Sequence, residues 1–315
     1  MAVGQESRLD ETREFNRRLE ETLSTMPPVH TVEPAVTRAA REAGTGIFPP
    51  PERLAEARER AVEGPAGPVP LRVFVPPEVA AVYLHYHGGG WVLGAHDQSD
   101  VALWHLARHA GVAVVSVGYR LAPEHPYPAG PDDCEAAALW LAANAEREFG
   151  SSRILVGGES AGAHLAVTTI LRLRDRHGLT PFSAANLVFG VFDLGLTPSQ
   201  RLWGDRNLVL STPIMQWFYD CFLPGTDTDQ RRAPDISPLY ADLTGVPSAM
   251  FTVGTLDPLV DDTLFMEARW RLAGAPTRLA LYEEAVHGFT AFPLSIAEEA
   301  NDAQMAFIRE AAHAG

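Results

Sequence analysis

From about Leu71 to the end of the chain, short apolar runs alternate with longer stretches of helical periodicity, and this alternation limits the possible folds more than any other feature. Runs over 81–86, 112–119, 154–157, 186–191, 249–253 and 278–282 read as strands. They are too continuously apolar for strands wetted on one face, and they suit a parallel sheet covered on both. Helical patterns fill the gaps over 97–110, 132–149, 161–174, 262–272 and 296–312, with Gly111, Gly150, Gly178 and Gly274 as stops. Asp132, with Glu135 three places on, reads as a capping box opening the second of them. Strand, helix and strand in turn mean crossover connections and an α/β fold with a mostly parallel sheet flanked by helices.

The alternation is absent in two places. The first is the N-terminal stretch, where Leu9, Phe15, Leu19 and Leu23 fall near helical spacing over 6–25, before Pro27 and Pro28. Residues 34–63 continue in a helical pattern broken by Gly44 and by Pro49, Pro50 and Pro51. The second is 196–233, rich in large apolar and aromatic residues and without a clear strand, which reads as an insertion of helices.

Composition narrows the chemistry. The net charge is −15, from 25 Lys and Arg against 40 Asp and Glu, which argues against nucleic acid and against an anionic membrane as partners. All 25 cationic residues are Arg. Without an ε-amino group there is no Schiff base, no P-loop lysine and no Ser-x-x-Lys dyad. Cys134 and Cys221 are far apart and form no Cys-x-x-Cys pair, so a cysteine zinc site is not expected and free thiols are. Charges from Glu6 onward and the lack of an apolar N-terminal core argue against a signal peptide, and no run of 18 uncharged apolar residues occurs, so the expectation is a cytoplasmic enzyme.

Gly158-Glu159-Ser160-Ala161-Gly162 fits G-x-S-x-G and sits where an apolar strand turns into a helix. A nucleophile lifted on such a sharp turn needs small neighbours two places to either side, and the helix N-terminus behind it faces the point where an oxyanion would form. His87-Gly88-Gly89-Gly90-Trp91 lies upstream at the end of the 81–86 run. Its three glycines free backbone N–H groups to face a cleft, and the Ala161 N–H would complete an oxyanion hole. Asp257 ends one strand-like run, and His287 follows the next. The order Ser, Asp, His is that of an α/β-hydrolase triad, with His287 as base and Asp257 fixing its tautomer. Asp261 and Asp262 are rivals for the acid, but they fall where the first turn of a helix favours acids for dipole reasons alone.

Taken together, HGGGW, the run Tyr119-Arg120-Leu121-Ala122-Pro123-Glu124, GESAG, Asp257-Pro258-Leu259 and His287-Gly288-Phe289 resemble the hormone-sensitive-lipase family of α/β-hydrolases, also called bacterial family IV esterases, over roughly residues 70–315. The resemblance implies Ser160, Asp257 and His287 as triad and Gly88, Gly89, Gly90 and Ala161 around the oxyanion hole. It also implies a helical cap from 1–45 and 196–233 over a catalytic core of 46–195 and 234–315. Two departures are Glu159, where many members carry Asp or Thr, and Ala163-His164, where many carry Gly-Asn. The expected activity is hydrolysis of short- to medium-chain carboxylic esters through an acyl-enzyme, on a small-molecule substrate and without metal or cofactor. The same triad would serve an amidase or deacetylase. A ligand-binding protein on this scaffold would usually lack the triad histidine. The resemblance also suggests a homodimer through the edge of the sheet.

Other residues are candidates for lesser roles. Trp91, Glu159, Trp203, Trp217, Phe218 and Phe222 are candidates for the substrate pocket. His85 and His87, with His96 near, fall short of a metal set of three or more ligands. His125 and His164 read as structural histidines, and Arg120 and Glu124 as braces beneath the site. The apolar stripe of 6–25 needs a partner, and packing on the aromatic stretch 202–223 over Ser160 would provide one.

Overall fold

A computed structural model describes residues 2–314. Its core is one eight-stranded sheet in the order β1-β2-β4-β3-β5-β6-β7-β8, formed by Arg58–Gly64, Gly67–Phe74, Ala81–Tyr86 (β3), Val112–Val117 (β4), Ile154–Glu159, Phe182–Val188, Ser248–Leu256 and Thr277–Val286. From β4 to β8 all neighbours pair in parallel; β1 with β2 and β2 with β4 are antiparallel. The central strands β3 and β4 are buried at every position, as continuous apolar runs require.

Among the described residues, ten α-helices accompany the sheet: α1 Ala2–Ser24, α2 Pro34–Glu42, α3 Asp100–Ala110, α4 Ala129–Phe149, α5 Ala161–His177, α6 Pro198–Leu202, α7 Thr212–Phe222, α8 Thr228–Arg231, α9 Val260–Leu272 and α10 Ser295–His313. Helices α3, α4 and α5 end on Gly111, Gly150 and Gly178, each with positive φ, the conformation that satisfies a helix C-terminus at least strain. α9 is capped by Ala273, at φ −75° and ψ 0°, one residue before Gly274, which has positive φ.

The fold departs from the sequence reading in the N-terminal stretch and at α4. The helical pattern read over 34–63 holds only for α2; 43–57 form neither helix nor strand, and 58–64 form the edge strand β1, which pairs with β2 across the turn between Gly64 and Gly67. Four of the first six residues of β1 are charged and all but Val62 lie at least partly in solvent, so no apolar periodicity marks it. The partner carries Pro68 and Pro70, which demote a run read as a strand. The capping box at Asp132 is also absent, because α4 already begins at Ala129. Instead, Asp132 and Glu135 accept from the buried Arg172 of α5, at 2.8 and 3.3 Å, and Asp133 accepts from Arg120 through Nε and Nη2 at 2.8 and 2.9 Å. The acids that mimic a helix start are the ionic links of α4 to its neighbours.

Residues 196–233 contain α6, α7 and α8 and no strand of the sheet. Phe15, Leu19 and Leu23 of α1 share an apolar cluster with Trp203, Val209, Phe289 and Phe292, and Asn16 Nδ2 donates to the Glu284 carbonyl at 2.8 Å. The short 3₁₀ turn Val29–Thr31 packs on α7. Thus the N-terminal segment meets the insertion at 203–209 through α1 and at α7 through residues 29–31. Among the described residues no helix is long and apolar enough to cross a membrane.

Candidate active site

Every side chain singled out for the chemistry stands at the C-terminal end of a parallel strand. β5 ends at Glu159, and α5 starts at Ala161. Ser160 between them has φ 56° and ψ −119°, a strained conformation for a residue with a Cβ. Its hydroxyl caps no backbone N–H of α5 and is left for another partner. The glycines two places away are a packing requirement: a Cβ on Gly158 or Gly162 would strike the Tyr86 carbonyl of the adjoining strand.

That partner is His287, which follows β8. Ser160 Oγ lies 3.0 Å from His287 Nε2, and His287 Nδ1 lies 2.9 Å from Asp257 Oδ2, which follows β7. Asp257 is buried, and its second oxygen accepts the Leu259 N–H at 2.8 Å. A carboxylate so held accepts a hydrogen bond from Nδ1–H, which leaves Nε2 unprotonated and pointed at the hydroxyl. Phe189 meets the His287 ring edge-on, with centroids 4.8 Å apart. The sequence offers little sign of Phe189, which follows β6 with φ 36°.

The rival acids point elsewhere. Asp261 Oδ2 accepts the Ser199 N–H at 2.7 Å. Asp262 is fully buried and accepts from the N–H groups of Phe192 and Asp193, from Thr197 Oγ1 and from Gln200 Nε2, at 2.6 to 2.9 Å. Burial pushes its carboxyl up to about 7 against these four donors. It shapes the 192–200 chain and does not reach His287.

The glycine loop lies against the elbow. A Cβ on Gly88 would meet the Glu159 carbonyl at 2.9 Å and Ser160 Cβ at 3.5 Å. His87 is buried, which lowers its pKa to about 4, and its neutral ring donates from Nδ1 to the Gly88 carbonyl at 2.8 Å. The Gly89 carbonyl accepts the N–H groups of Val92 and Leu93 at 3.1 and 2.8 Å. In a trans peptide the N–H points opposite the carbonyl, so these contacts also set the directions of the Gly89 and Gly90 N–H groups. Gly89 and Gly90 both have positive φ, at 116° and 60°, and Phe218 of α7 lies so close to Gly90 that a Cβ there would overlap its ring.

The candidate pocket residues separate into two groups. Phe218 lies against Gly90, Trp217 packs on Phe218 with ring centroids 4.9 Å apart, and Glu159 is the last residue of the strand before Ser160. Trp91 and Phe222 are only 2% and 1% exposed; their rings stack at 4.5 Å, and Trp91 Nε1 donates to His164 Nδ1 at 3.2 Å, so they pack the end of α7 onto the core rather than forming a pocket wall. Trp203 joins the α1 cluster and donates from Nε1 to the Arg206 carbonyl at 2.7 Å. His164 is buried with both nitrogens in hydrogen bonds, and burial lowers its pKa to about 4. His85 bridges Ser116 Oγ and the Glu159 carboxylate at 3.1 Å. Among the described residues no three His, Cys, Asp or Glu side chains gather where a metal could be held. Of the two braces, Arg120 ties to α4 as described, whereas Glu124 is held by Arg38 of α2, at 2.8 and 2.9 Å, a partner the sequence did not suggest.

The chain belongs to the family described as the alpha/beta hydrolase fold, whose sequence profile matches residues 83–291. It is 36% identical over 310 residues to the carboxylesterase NlhH of Mycobacterium tuberculosis, which covers 93% of this chain and 94% of that one. It is 32% identical over 242 residues to the ethyl acetate hydrolase of Pseudomonas putida, covering 74% and 75%. Among solved structures, a Pyrobaculum calidifontis esterase superposes with a TM-score of 0.84 at 28% identity, covering 95% of this chain and 98% of its own. An ester hydrolase from the metagenome of Lake Arreo superposes equally well, at 32% identity over 95% and 97% of the two chains.

Proposed function

We infer that the protein is a carboxylesterase that cleaves short- to medium-chain carboxylic esters through an acyl-enzyme on Ser160. The observation that carries this reading is the unbroken chain from Asp257 through His287 to Ser160, at 2.9 and 3.0 Å. His287 takes the Ser160 proton as the hydroxyl attacks the ester carbonyl, and the imidazolium formed is stabilised by Asp257. The developing oxyanion takes hydrogen bonds from the Ala161 N–H, at the positive end of α5, and from the glycine loop. The alcohol leaves with the proton from His287. Water, activated by the same ring, then releases the acid. Relatives named as a carboxylesterase and an ethyl acetate hydrolase support esters over amides.

Residues 1–45 and 196–233 are the cap, set on the core of 46–195 and 234–315. The contacts of α1 with 203–209, of residues 29–31 with α7, and of Phe218 with Gly90 support this division. The cap is the wall that limits acyl length. On p-nitrophenyl esters from C2 to C12, kcat/KM is highest at the short to middle lengths, and a matching anilide is not turned over. Removing residues 1–45 from a protein verified as folded lowers kcat/KM, most for the longest chains accepted. Rapid anilide hydrolysis would make the enzyme an amidase, and an unchanged length preference would remove the N-terminal segment from the cap.

The enzyme acts as a homodimer through β8. This strand ends the sheet, is ten residues long, and exposes Leu279 and Leu281, with Phe265 and Leu272 exposed on the adjoining α9. A long apolar edge strand invites antiparallel pairing with its own copy. Light scattering after gel filtration gives twice the 34.2 kDa chain mass, and Leu281→Lys shifts it toward the single chain. A wild-type protein that runs as a monomer would discard the dimer. The free thiols of Cys134 and Cys221 support a reducing, cytoplasmic location.

A further inference from the structure

Arg38 stands on α2, outside both the triad and the glycine loop, with its side chain about three-quarters covered. Its guanidinium reaches three parts of the chain at once. Nε donates to the Val92 carbonyl at 2.8 Å, and Nη2 donates to the Ala122 carbonyl at 2.8 Å. Nη1 and Nη2 together grip the Glu124 carboxylate. Val92 belongs to the turn that holds the glycine loop, since its own N–H donates to the Gly89 carbonyl. Ala122 is tied to the same turn, because its N–H donates to the Trp91 carbonyl at 2.9 Å.

The exposed half of this arrangement, the ion pair with Glu124, contributes little by itself, as half-exposed pairs do. The two carbonyl contacts are different in kind. They fix the backbone that follows Gly90, in a loop whose glycines have no side chains to hold them. A planar guanidinium satisfies both carbonyls and the carboxylate in one geometry, which a single ammonium cannot do.

We propose that Arg38 is a positioning residue for the oxyanion loop, by which the seating of α2 sets the aim of the Gly88–Gly90 N–H groups. The proposal rests on reading that loop as the oxyanion hole. It has a consequence that the cap as a pocket wall lacks: the N-terminal segment affects the chemical step even for an acetyl ester, whose acyl group is too short to lean on the cap.

The test compares Arg38→Ala, Arg38→Lys and Glu124→Gln, with active sites counted by fluorophosphonate titration. Two quantities are read: kcat and KM on p-nitrophenyl acetate, and inhibition by an aryl trifluoromethyl ketone, whose adduct places an oxyanion in the hole. Losing an oxyanion donor costs 10²–10³ in rate, so misaiming donors in Arg38→Ala lowers kcat roughly ten- to a hundredfold with little change in KM. The affinity for the ketone falls by a similar factor. Arg38→Lys lies between, and Glu124→Gln, which leaves both carbonyl contacts in place, loses less than Arg38→Ala. Wild-type kcat and ketone affinity in Arg38→Ala, whatever its melting temperature, would overturn the proposal. If Arg38→Ala does not fold, the same two readouts on Arg38→Lys decide, and wild-type values in both overturn it. Ser160→Ala is measured alongside: full turnover there would sink the esterase reading itself, independently of Arg38.

Discussion

Ser160→Ala loses nearly all ester hydrolysis. Removing the nucleophile of a triad costs on the order of 10⁶ in kcat, and what survives comes from the oxyanion donors and substrate binding. The substitution is small and leaves the strained turn and the packing of Gly158 and Gly162 against Tyr86 unchanged, so the folded protein persists and the loss is chemical. His287→Ala costs about as much, because hydroxyl and imidazole act as one unit 3.0 Å apart. Initial rates on p-nitrophenyl butyrate, beside a circular dichroism spectrum matching the wild type, check both variants. Turnover within tenfold of wild type in either would contradict the mechanism.

The second large effect falls on the acid. Asp257→Asn keeps the shape but places an amide against His287 Nδ1. An amide nitrogen there donates, so Nδ1 becomes the acceptor and the ring proton moves to Nε2, where it faces Ser160 Oγ. A base in that tautomer cannot take the hydroxyl proton, and kcat falls roughly 10⁴-fold. Asp261→Asn, whose carboxylate serves the Ser199 N–H 2.7 Å away, changes kcat little. The opposite ranking in a side-by-side kcat measurement would move the role to Asp261.

Much of this was legible in the sequence, for physical reasons. The span 81–86 read as a strand coincides with β3, because a strand buried on both faces is mostly apolar, and its one histidine, His85, is satisfied by Ser116 and Glu159. Ser160, Asp257 and His287 lie together because a parallel sheet brings the C-terminal ends of its strands to one side, so residues at those ends meet however far apart they lie in the chain. The β1–β2 hairpin was not legible: charged residues cover its edge strand, and two prolines interrupt its partner. Arg38 carries no local signal, since the carbonyls it holds lie 54 and 84 residues away. Phe189 and the contacts of residues 15–31 with 203–222 likewise depend on pairings that no local pattern encodes. Asp132 and Glu135 satisfied a local rule for a helix start and turned out to serve a buried arginine.

Ser160 as nucleophile, made reactive by His287 and Asp257, is checked by treating the protein with a fluorophosphonate and locating the adduct by peptide mass spectrometry. One phosphonyl group per chain is expected, carried by Ser160, with labelling abolished in Ser160→Ala and greatly slowed in His287→Ala. A wild-type protein that takes up no label, or takes it up at another residue with esterase activity lost in parallel, would contradict it.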